Sequence, residues 1–240
     1  MAILEPRKFR VTENRNIAEG VFGLKLVPAD GAPLFVYSAG QFVMLHLQNP
    51  DGTVWAKAAY SIANAPAESD GSILLAIRLR GDFTHRAELL KVGDTVLVQG
   101  PYGRFVMGEN AERNVMLAAG IGITPIYSML REKLATDPEA DIVLLYSNRD
   151  VSSFTFLEEL EALAEKHKGF SFVAALTGET DDPWKGERGR IDEVIFRKYV
   201  SEPAAADYYL CGPSDFVTGL TGILESCGVN VKIQAHKEVF

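Results

Sequence analysis

The first hundred residues alternate short apolar segments with turns. Segments such as GVFGLKLVP and QFVMLHLQN alternate apolar and polar positions, which is typical of strands that bury one face. The turns between them, including PADGAP and KVGD, carry Gly, Pro, Asn and Asp. The pattern predicts one short helix near residues 84–91 and six strands, over residues 9–15, 21–27, 41–47, 58–63, 73–80 and 95–99. Six short strands at this spacing indicate a closed antiparallel β-barrel of the Greek-key type.

From about residue 110 the pattern changes to alternating strands and helices. NVMLAAG, IVLLYS, FSFVAAL, DYYLCG and VNVKIQA are predicted strands, and FTFLEELEALAEKHK is one of the amphipathic helices between them. This alternation predicts an α/β domain with a five-stranded parallel sheet covered by helices on both faces. We place the domains at 1–109 and 110–240, with the boundary near 108–112. Because no low-complexity linker separates them, we expect them to pack directly.

Composition narrows the possible functions. The chain of 240 residues has a formal net charge of −8, which disfavours nucleic acid and anionic membrane surfaces as partners. Two cysteines are too few for an iron–sulfur cluster, and the four histidines show no metal-ligand spacing. Redox chemistry would therefore need an organic cofactor. No apolar run is long enough for a membrane helix or a signal peptide, so we expect a cytoplasmic protein.

A glycine-rich loop is the strongest local signal. Gly120 and Gly122 follow a predicted strand, and Thr124 and Pro125 open a predicted helix. Glycines here permit a tight turn and a close approach to a pyrophosphate, Thr124 can cap the helix, and Pro125 suits its first position. The free N–H groups of such a helix bind anions. The alternative is an ordinary strand-to-helix turn.

Four further motifs are weak signals when each is taken alone. Tyr60-Ser61 lies on a predicted strand, Gly81-Asp82-Phe83-Thr84 opens the short helix, and Gly100-Pro101-Tyr102-Gly103 ends the barrel. Cys211-Gly212-Pro213 follows a parallel strand, at the edge where open α/β sheets bind ligands. The alternative for Cys211 is a small apolar residue of the core.

Taken in order, these segments resemble the ferredoxin–NADP reductase family over nearly the whole chain. The matching segments are SAGQFVML, YS, GDFT, GPYG, AGIGITP, YSNR, LCGP and HKEVF. The resemblance implies a FAD-binding barrel followed by an NAD(P)-binding domain, and hence a flavoprotein reductase that uses FAD and NADH or NADPH. In such a protein hydride passes from nicotinamide C4 to flavin N5, and electrons then leave singly.

The resemblance also implies a role for each motif residue. Tyr60 would pack on the flavin, and Ser61 would hydrogen-bond near N5. Cys211 would lie beside the nicotinamide, Glu238 would stabilise charge there, and Phe240 would cover the flavin face. The last four of these are the candidate catalytic residues. The candidate cofactor-binding residues are Tyr60, Ser61, Ile62, Arg78, Arg80, Gly81, Phe83, Thr84, Gly120, Gly122, Thr124, Pro125, Arg149, Cys211, Gly212 and Pro213.

The chain departs from the family pattern at two positions. Where the family has an Arg two residues before the tyrosine, for the FAD pyrophosphate, this chain has Ala58; Arg78 and Arg80 are alternatives on the neighbouring strand. Where NADPH-specific members have a Ser/Thr-Arg pair, this chain has Thr177-Gly178 followed by the acidic residues of GETDD. The second departure favours NADH, although Arg149 could meet a phosphate.

Three functions remain open at this stage. The favoured one is a reductase with bound FAD that takes electrons from NAD(P)H and serves a separate one-electron acceptor: a ferredoxin, a flavodoxin or an oxygenase component. The second is a flavin or ferric reductase, in which reduced flavin or an iron chelate leaves the site, and Ala58 favours it slightly. The third is a redox-inert regulatory subunit, against which the intact motifs stand.

Overall fold

The computed structural model describes residues 5–108, 112–178 and 184–240. Its first half is a six-stranded antiparallel sheet in the order β4-β3-β6-β1-β2-β5. A bridge between Ile62 and Leu75 closes the sheet into a barrel, and the predicted barrel is confirmed. Its elements are β1 (Arg7–Ala18), β2 (Val21–Pro28), β3 (Phe42–Gln48), β4 (Val54–Ser61), β5 (Ile73–Arg78), α1 (Gly81–Glu88) and β6 (Thr95–Tyr102).

The barrel closes because alternate residues of its strands are apolar and point inward. Phe9 and Val11 of β1, and Leu24 and Leu26 of β2, are fully buried in one apolar cluster that fills the barrel. The exposed residues between them are polar, as expected for a sheet with one wet face. Helix α1 begins three residues earlier than predicted, at Gly81 rather than Thr84.

The second half is a parallel sheet in the order β10-β9-β8-β7-β11-β12. Two buried apolar clusters cover its two faces, which confirms the predicted α/β architecture. Its elements are β7 (Arg113–Ala119), α2 (Ile123–Thr136), β8 (Asp141–Asn148), α3 (Leu157–Lys166), β9 (Phe170–Leu176), β10 (Glu187–Arg188), α4 (Glu193–Tyr199), β11 (Asp207–Gly212), α5 (Ser214–Ser226), α6 (Val231–Gln234) and β12 (Ala235–Val239).

The structure corrects three details of this half. The sheet has a sixth, two-residue strand, β10, which is too short to produce a pattern. Most of the segment VNVKIQA forms the helical turn α6 rather than a strand, and the closing strand is β12. Ile233 of this turn is 72% exposed. Thr124 does not cap α2 and Pro125 is not its first residue: the helix begins at Ile123 after a 3-10 turn over Gly120–Gly122, which makes Pro125 the third residue, and the Thr124 hydroxyl donates to the Ile121 carbonyl.

The two halves share one apolar core. The cluster on the barrel-facing side of the parallel sheet includes Ala39, Ala63 and Phe105 of the first half. Gly40 lies at this interface: a Cβ there would lie 2.1 Å from the Phe105 carbonyl oxygen of the same half and 3.2 Å from the Met129 sulfur of α2. Residues 109–111, where the predicted boundary falls, lie outside the described residues, so the division at 109/110 stays a prediction.

Candidate active site

A cavity of about 800 Å³ lies between the barrel and the carboxyl ends of the parallel strands. This is the edge at which open α/β sheets bind ligands. The barrel wall of the cavity consists of Phe42, Ala59, Tyr60, Ser61, Ala76, Arg78, Leu79 and Arg80. The opposite wall consists of Ile121, Gly122, Thr124, Pro125, Cys211, Glu238, Val239 and Phe240.

The glycine-rich loop forms one wall because it approaches β11 very closely. A Cβ on Gly122 would lie 2.4 Å from the Cys211 carbonyl oxygen, a distance that real Cβ atoms essentially never show. Gly120 has a φ of 54°, in the left-handed region that glycine adopts readily, and its carbonyl accepts a hydrogen bond from the Tyr146 hydroxyl. Among the described residues no side chain caps the start of α2. The Ile123 N–H donates to the Gly120 and Ile121 carbonyls and Pro125 has no N–H, so among the first three residues of α2 the Thr124 N–H is the one left for a ligand.

The barrel wall places two arginines beside the start of a second helix. Arg78 ends β5, and Arg80 precedes α1, whose N-terminus also has no side-chain cap. Thr84 is buried: its hydroxyl accepts from the Arg80 N–H at 2.6 Å and donates to the Gly81 carbonyl at 3.0 Å. These bonds fix the turn that leads from β5 into α1. Neither arginine forms an ion pair within the described parts of the chain.

An aromatic stack extends from the cavity along the barrel. The Phe83 ring lies 6.0 Å from the Tyr60 ring and 6.2 Å from the Trp55 ring, and both pairs are stacked. The Arg86 guanidinium lies over the Trp55 ring, 4.5 Å from its centroid. Ala58 lies between Trp55 and Tyr60 along β4. Its small side chain is thus in the stretch of β4 over which Phe83 contacts both rings.

Cys211 and Glu238 are neighbours because β11 and β12 pair in parallel register. Burial raises the pKa of the Cys211 thiol well above its usual range, and the nearby Glu238 carboxylate raises it further. Cys211 is therefore a neutral thiol at physiological pH and cannot act as a thiolate nucleophile. Burial likewise raises the pKa of Glu238. Phe240 is 54% exposed at the mouth of the cavity.

The cavity brings together many, but not all, of the residues singled out in the sequence. Ile62 points into the barrel core, and its N–H donates to the Gln41 carbonyl. Arg149 is exposed at the end of β8, where its backbone packs on Gly178. The others outside the wall are Gly81, Gly120 and Gly212, which adjoin wall residues in the chain, and Phe83, Thr84 and Pro213, which lie a few residues further on. Wall residues that the sequence did not single out are Phe42, Ala59, Ala76, Leu79, Ile121 and Val239.

The walls fit two dinucleotides. Each contributes a helix N-terminus that no side chain caps, and an uncapped N-terminus suits a diphosphate. On the barrel side Arg78 and Arg80 add positive charge, and Tyr60 and Ser61 offer a ring face and a hydroxyl to a flavin. On the other side Gly122 permits the close approach of the loop to β11, which brings the loop and Cys211 together in one wall. Among the described residues, no group of three or more His, Cys, Asp or Glu side chains could hold a metal ion.

Comparison with known domain families likewise assigns one cofactor to each half of the chain. Residues 8–107 match the oxidoreductase FAD-binding domain, and residues 116–221 match the oxidoreductase NAD-binding domain. The fold and the two walls of the cavity thus define an oxidoreductase with FAD- and NAD-binding domains.

Similarity to individual relatives shows the family to which the chain belongs. The chain is 32% identical to ferredoxin–NADP reductase B of Sorangium cellulosum, over 87% of this chain and 86% of the relative. It is 34% identical to the reductase component of phenol 2-monooxygenase of a Pseudomonas species, over 75% of this chain and 51% of the relative. It therefore belongs to the ferredoxin–NADP reductase family.

The solved structures agree with this assignment. The FAD/NAD-binding domain of nitric oxide dioxygenase from Vibrio cholerae superposes with a TM-score of 0.87 at 26% identity, covering 98% of both chains. The chain spans about half to three fifths of the length of several curated relatives, including flavohemoproteins and oxygenase reductases. In the parts that the structure describes, no helix is long and apolar enough to cross a membrane.

Proposed function

We propose that this protein is an NAD(P)H-dependent flavoprotein reductase that passes electrons from its FAD to a separate one-electron acceptor protein. The observation that carries the proposal is the single cavity in which Tyr60 and Ser61 face Gly122, Thr124 and Cys211. One wall has the features of a flavin site and the other those of a dinucleotide site. The bound cofactors supply the hydride chemistry, with the nicotinamide as donor and the flavin as acceptor.

The residues of the chain contribute positioning more than acid–base chemistry. We assign Tyr60 and Ser61 to the flavin ring, and Arg78, Arg80 and the start of α1 to its diphosphate. We assign Gly120, Gly122, Thr124 and Pro125 at the start of α2 to the nicotinamide dinucleotide. Cys211, Glu238 and Phe240 then enclose the place where the two rings must meet. Such alignment of reactants accounts for much of the rate in reactions of this kind.

The distribution of charge bears on the acceptor. Residues 1–108 carry 11 Lys and Arg against 10 Asp and Glu, whereas residues 109–240 carry 13 against 22. The net negative charge of the chain thus comes from the NAD-binding half, since the basic and acidic residues of the barrel half nearly balance. An acidic acceptor would be repelled by the NAD-binding half and would approach the barrel half more readily. We propose a ferredoxin, a flavodoxin or an oxygenase component, in keeping with relatives named as oxygenase reductase components.

We propose NADH as a donor at least as good as NADPH, with Gly178 as the main reason. Gly178 has no side chain to contact a 2′-phosphate, and a Cβ there would lie 2.5 Å from the Arg149 carbonyl oxygen. The acidic residues of GETDD, at positions 179, 181 and 182, all lie outside the described residues. If the protein reacted only with NADPH, and Arg149→Ala abolished that preference, Arg149 would be the phosphate ligand instead. Because this donor is supplied inside the cell, we propose a cytoplasmic location.

A second candidate is a reductase that releases reduced flavin or reduces an iron chelate. Two observations favour it: Ala58 offers no charge to the pyrophosphate, and the stack of Tyr60, Phe83 and Trp55 covers the same stretch of β4. Losing a charge-assisted hydrogen bond weakens binding by about 1.5–3 kcal/mol. Flavin content after gel filtration separates the two candidates. One FAD per chain supports the first, and a colourless protein that turns over added flavin supports the second.

The test of the main proposal is anaerobic reduction of the FAD-loaded protein, followed by a screen of one-electron acceptor proteins. We expect NADH to bleach the flavin and at least one acidic acceptor to restore its colour. A protein that cannot take up FAD would instead be the redox-inert subunit.

A further inference from the structure

Three polar contacts connect one face of α2 to the barrel. The Ser128 hydroxyl donates to the Asn64 carbonyl at 2.8 Å. Four residues later, the Glu132 carboxylate accepts from the Ala67 N–H at 2.7 Å. Beside it, the Arg131 guanidinium forms an ion pair with Glu68 at 2.5 Å. We call these three contacts the interdomain clamp.

The clamp lies on the same side of α2 as the cavity. Residues 124, 128 and 132 are four apart, so they follow one another along one helix face. Thr124 lines the cavity at the start of that face, and Ser128, which is fully buried, lies one turn further on. A displacement of this face relative to the barrel would therefore displace the glycine-rich loop directly before it.

The barrel end of the clamp is itself rigid and continues from β4. Asn64 lies three residues after Ser61, and its amide group donates to the Ser72 carbonyl and accepts from the Leu74 N–H. The Tyr37 hydroxyl donates to the same Asn64 carbonyl that Ser128 contacts. The clamp thus connects the strand that carries Tyr60 and Ser61 to the helix that begins at the nicotinamide-binding wall.

We propose that the interdomain clamp sets the spacing of the two cavity walls, and that Ser128 and Glu132 are positioning residues for hydride transfer. This inference rests on the proposed function of the cavity. Hydride transfer requires the reacting atoms to lie about 3–3.5 Å apart, and an error of about 1 Å can cost about 100-fold in rate. The apolar interface alone resists separation of the halves but resists small sliding less, because apolar contact is non-directional. Directional hydrogen bonds supply the missing constraint.

The test uses the Ser128→Ala/Glu132→Ala double variant, loaded with FAD and mixed anaerobically with NADH. We expect flavin reduction at saturating NADH to slow by about 10-fold or more. The dissociation constants of FAD and NADH should stay within about 2-fold of wild type, because neither residue lines the cavity. In the cofactor-free double variant, the Ala67 amide should exchange with solvent faster, because its acceptor is gone.

Two matched variants act as controls. Lys133→Ala removes the ion pair with Asp137, which lies within the α2 segment and does not reach the barrel, so its reduction rate should equal that of wild type. Glu132→Gln keeps an acceptor oxygen for the Ala67 N–H and should also retain the wild-type rate. If the double variant folds poorly, Ser128→Ala alone is the test, since the Asn64 carbonyl keeps its bond from Tyr37.

The outcomes separate this inference from the proposed function. A wild-type protein that NADH does not reduce would remove the proposed function itself. A reducible wild type whose double variant reacts at the same rate would overturn only the inference. The inference is also overturned if FAD affinity falls in proportion to the rate, or if Lys133→Ala is slowed equally, because either result indicates general loosening of the fold.

Discussion

Gly122→Ala is the sharpest test of how the dinucleotide wall is built. The backbone of Gly122 has φ −62° and ψ −7°, which alanine adopts without strain, so the substitution acts through space alone. The new Cβ would lie 2.4 Å from the Cys211 carbonyl oxygen, 2.7 Å from its carbonyl carbon and 2.9 Å from the Gly212 nitrogen. All three atoms belong to the backbone of β11. Either the loop or the strand must therefore shift by about 1 Å to restore ordinary contact.

That shift should cost both stability and rate. Overpacking of this kind costs about 1–3 kcal/mol, which in a chain of this length lowers Tm by about 2–4 °C for each kcal/mol. Because Gly122 and Cys211 both line the cavity, we also expect flavin reduction by NADH to slow by about 10- to 100-fold. Thermal unfolding and anaerobic stopped-flow absorbance measure the two effects.

Gly219→Ala is the matched control. Gly219 lies within α5, and a Cβ there would meet no heavy atom within 4 Å. Replacing a helical glycine with alanine should therefore raise stability by about 0.5–1 kcal/mol and leave the rate unchanged. If Gly122→Ala behaved like Gly219→Ala in both assays, the close approach of loop and strand would not matter and the reasoning would be refuted.

Three further substitutions test the wall formed by β11 and β12. Cys211→Ala should slow flavin reduction while FAD content and fold persist, and an unchanged single-turnover rate would return Cys211 to a packing role. Phe240→Ser should tighten binding of the oxidised nicotinamide several-fold and lower turnover, because the cofactor no longer has to displace a ring whose stacking on the flavin contributes about 0.5–1.5 kcal/mol. Titration followed by the flavin spectrum measures this affinity, and a wild-type affinity would contradict the prediction. Glu238→Gln should stabilise the protein near neutral pH, since burial raises the pKa of Glu238 and so penalises its charged form in the folded state. That advantage should be lost as the pH falls below the ordinary glutamate pKa, where Glu238 is protonated both folded and unfolded. An advantage independent of pH in urea unfolding would contradict this explanation.

The sequence predicts the architecture because each half leaves its own pattern. The barrel strands bury alternate residues, which gives a period of two, whereas the parallel strands are buried on both faces and appear as short apolar runs between amphipathic helices. It predicts the glycine-rich loop and Cys211 because strand-to-helix turns have a recognisable composition. It cannot predict β10, whose two residues leave no period. It misplaces the last strand because Val231 and Ile233 of VNVKIQA lie in the helical turn α6, with Ile233 exposed, and the strand begins only at Ala235.

Other parts of the site depend on long-range contacts that no local pattern records. Ala59 and Leu79 line the cavity only because β4 and β5 meet where the barrel closes. The bond from Ser128 to Asn64 joins residues 64 positions apart, and a serine on an apolar helix face gives no sign of its partner. The stack on Phe83 likewise follows from how α1 covers β4.

The most direct test of the central claim is anaerobic titration of the FAD-loaded protein with NADH, followed at the flavin absorption maximum. The proposed function predicts one FAD per chain and complete bleaching by one equivalent of NADH, because the barrel wall and the opposite wall line the same cavity. A protein that binds FAD but is bleached by neither NADH nor NADPH would contradict the claim that the two walls bring the cofactors together.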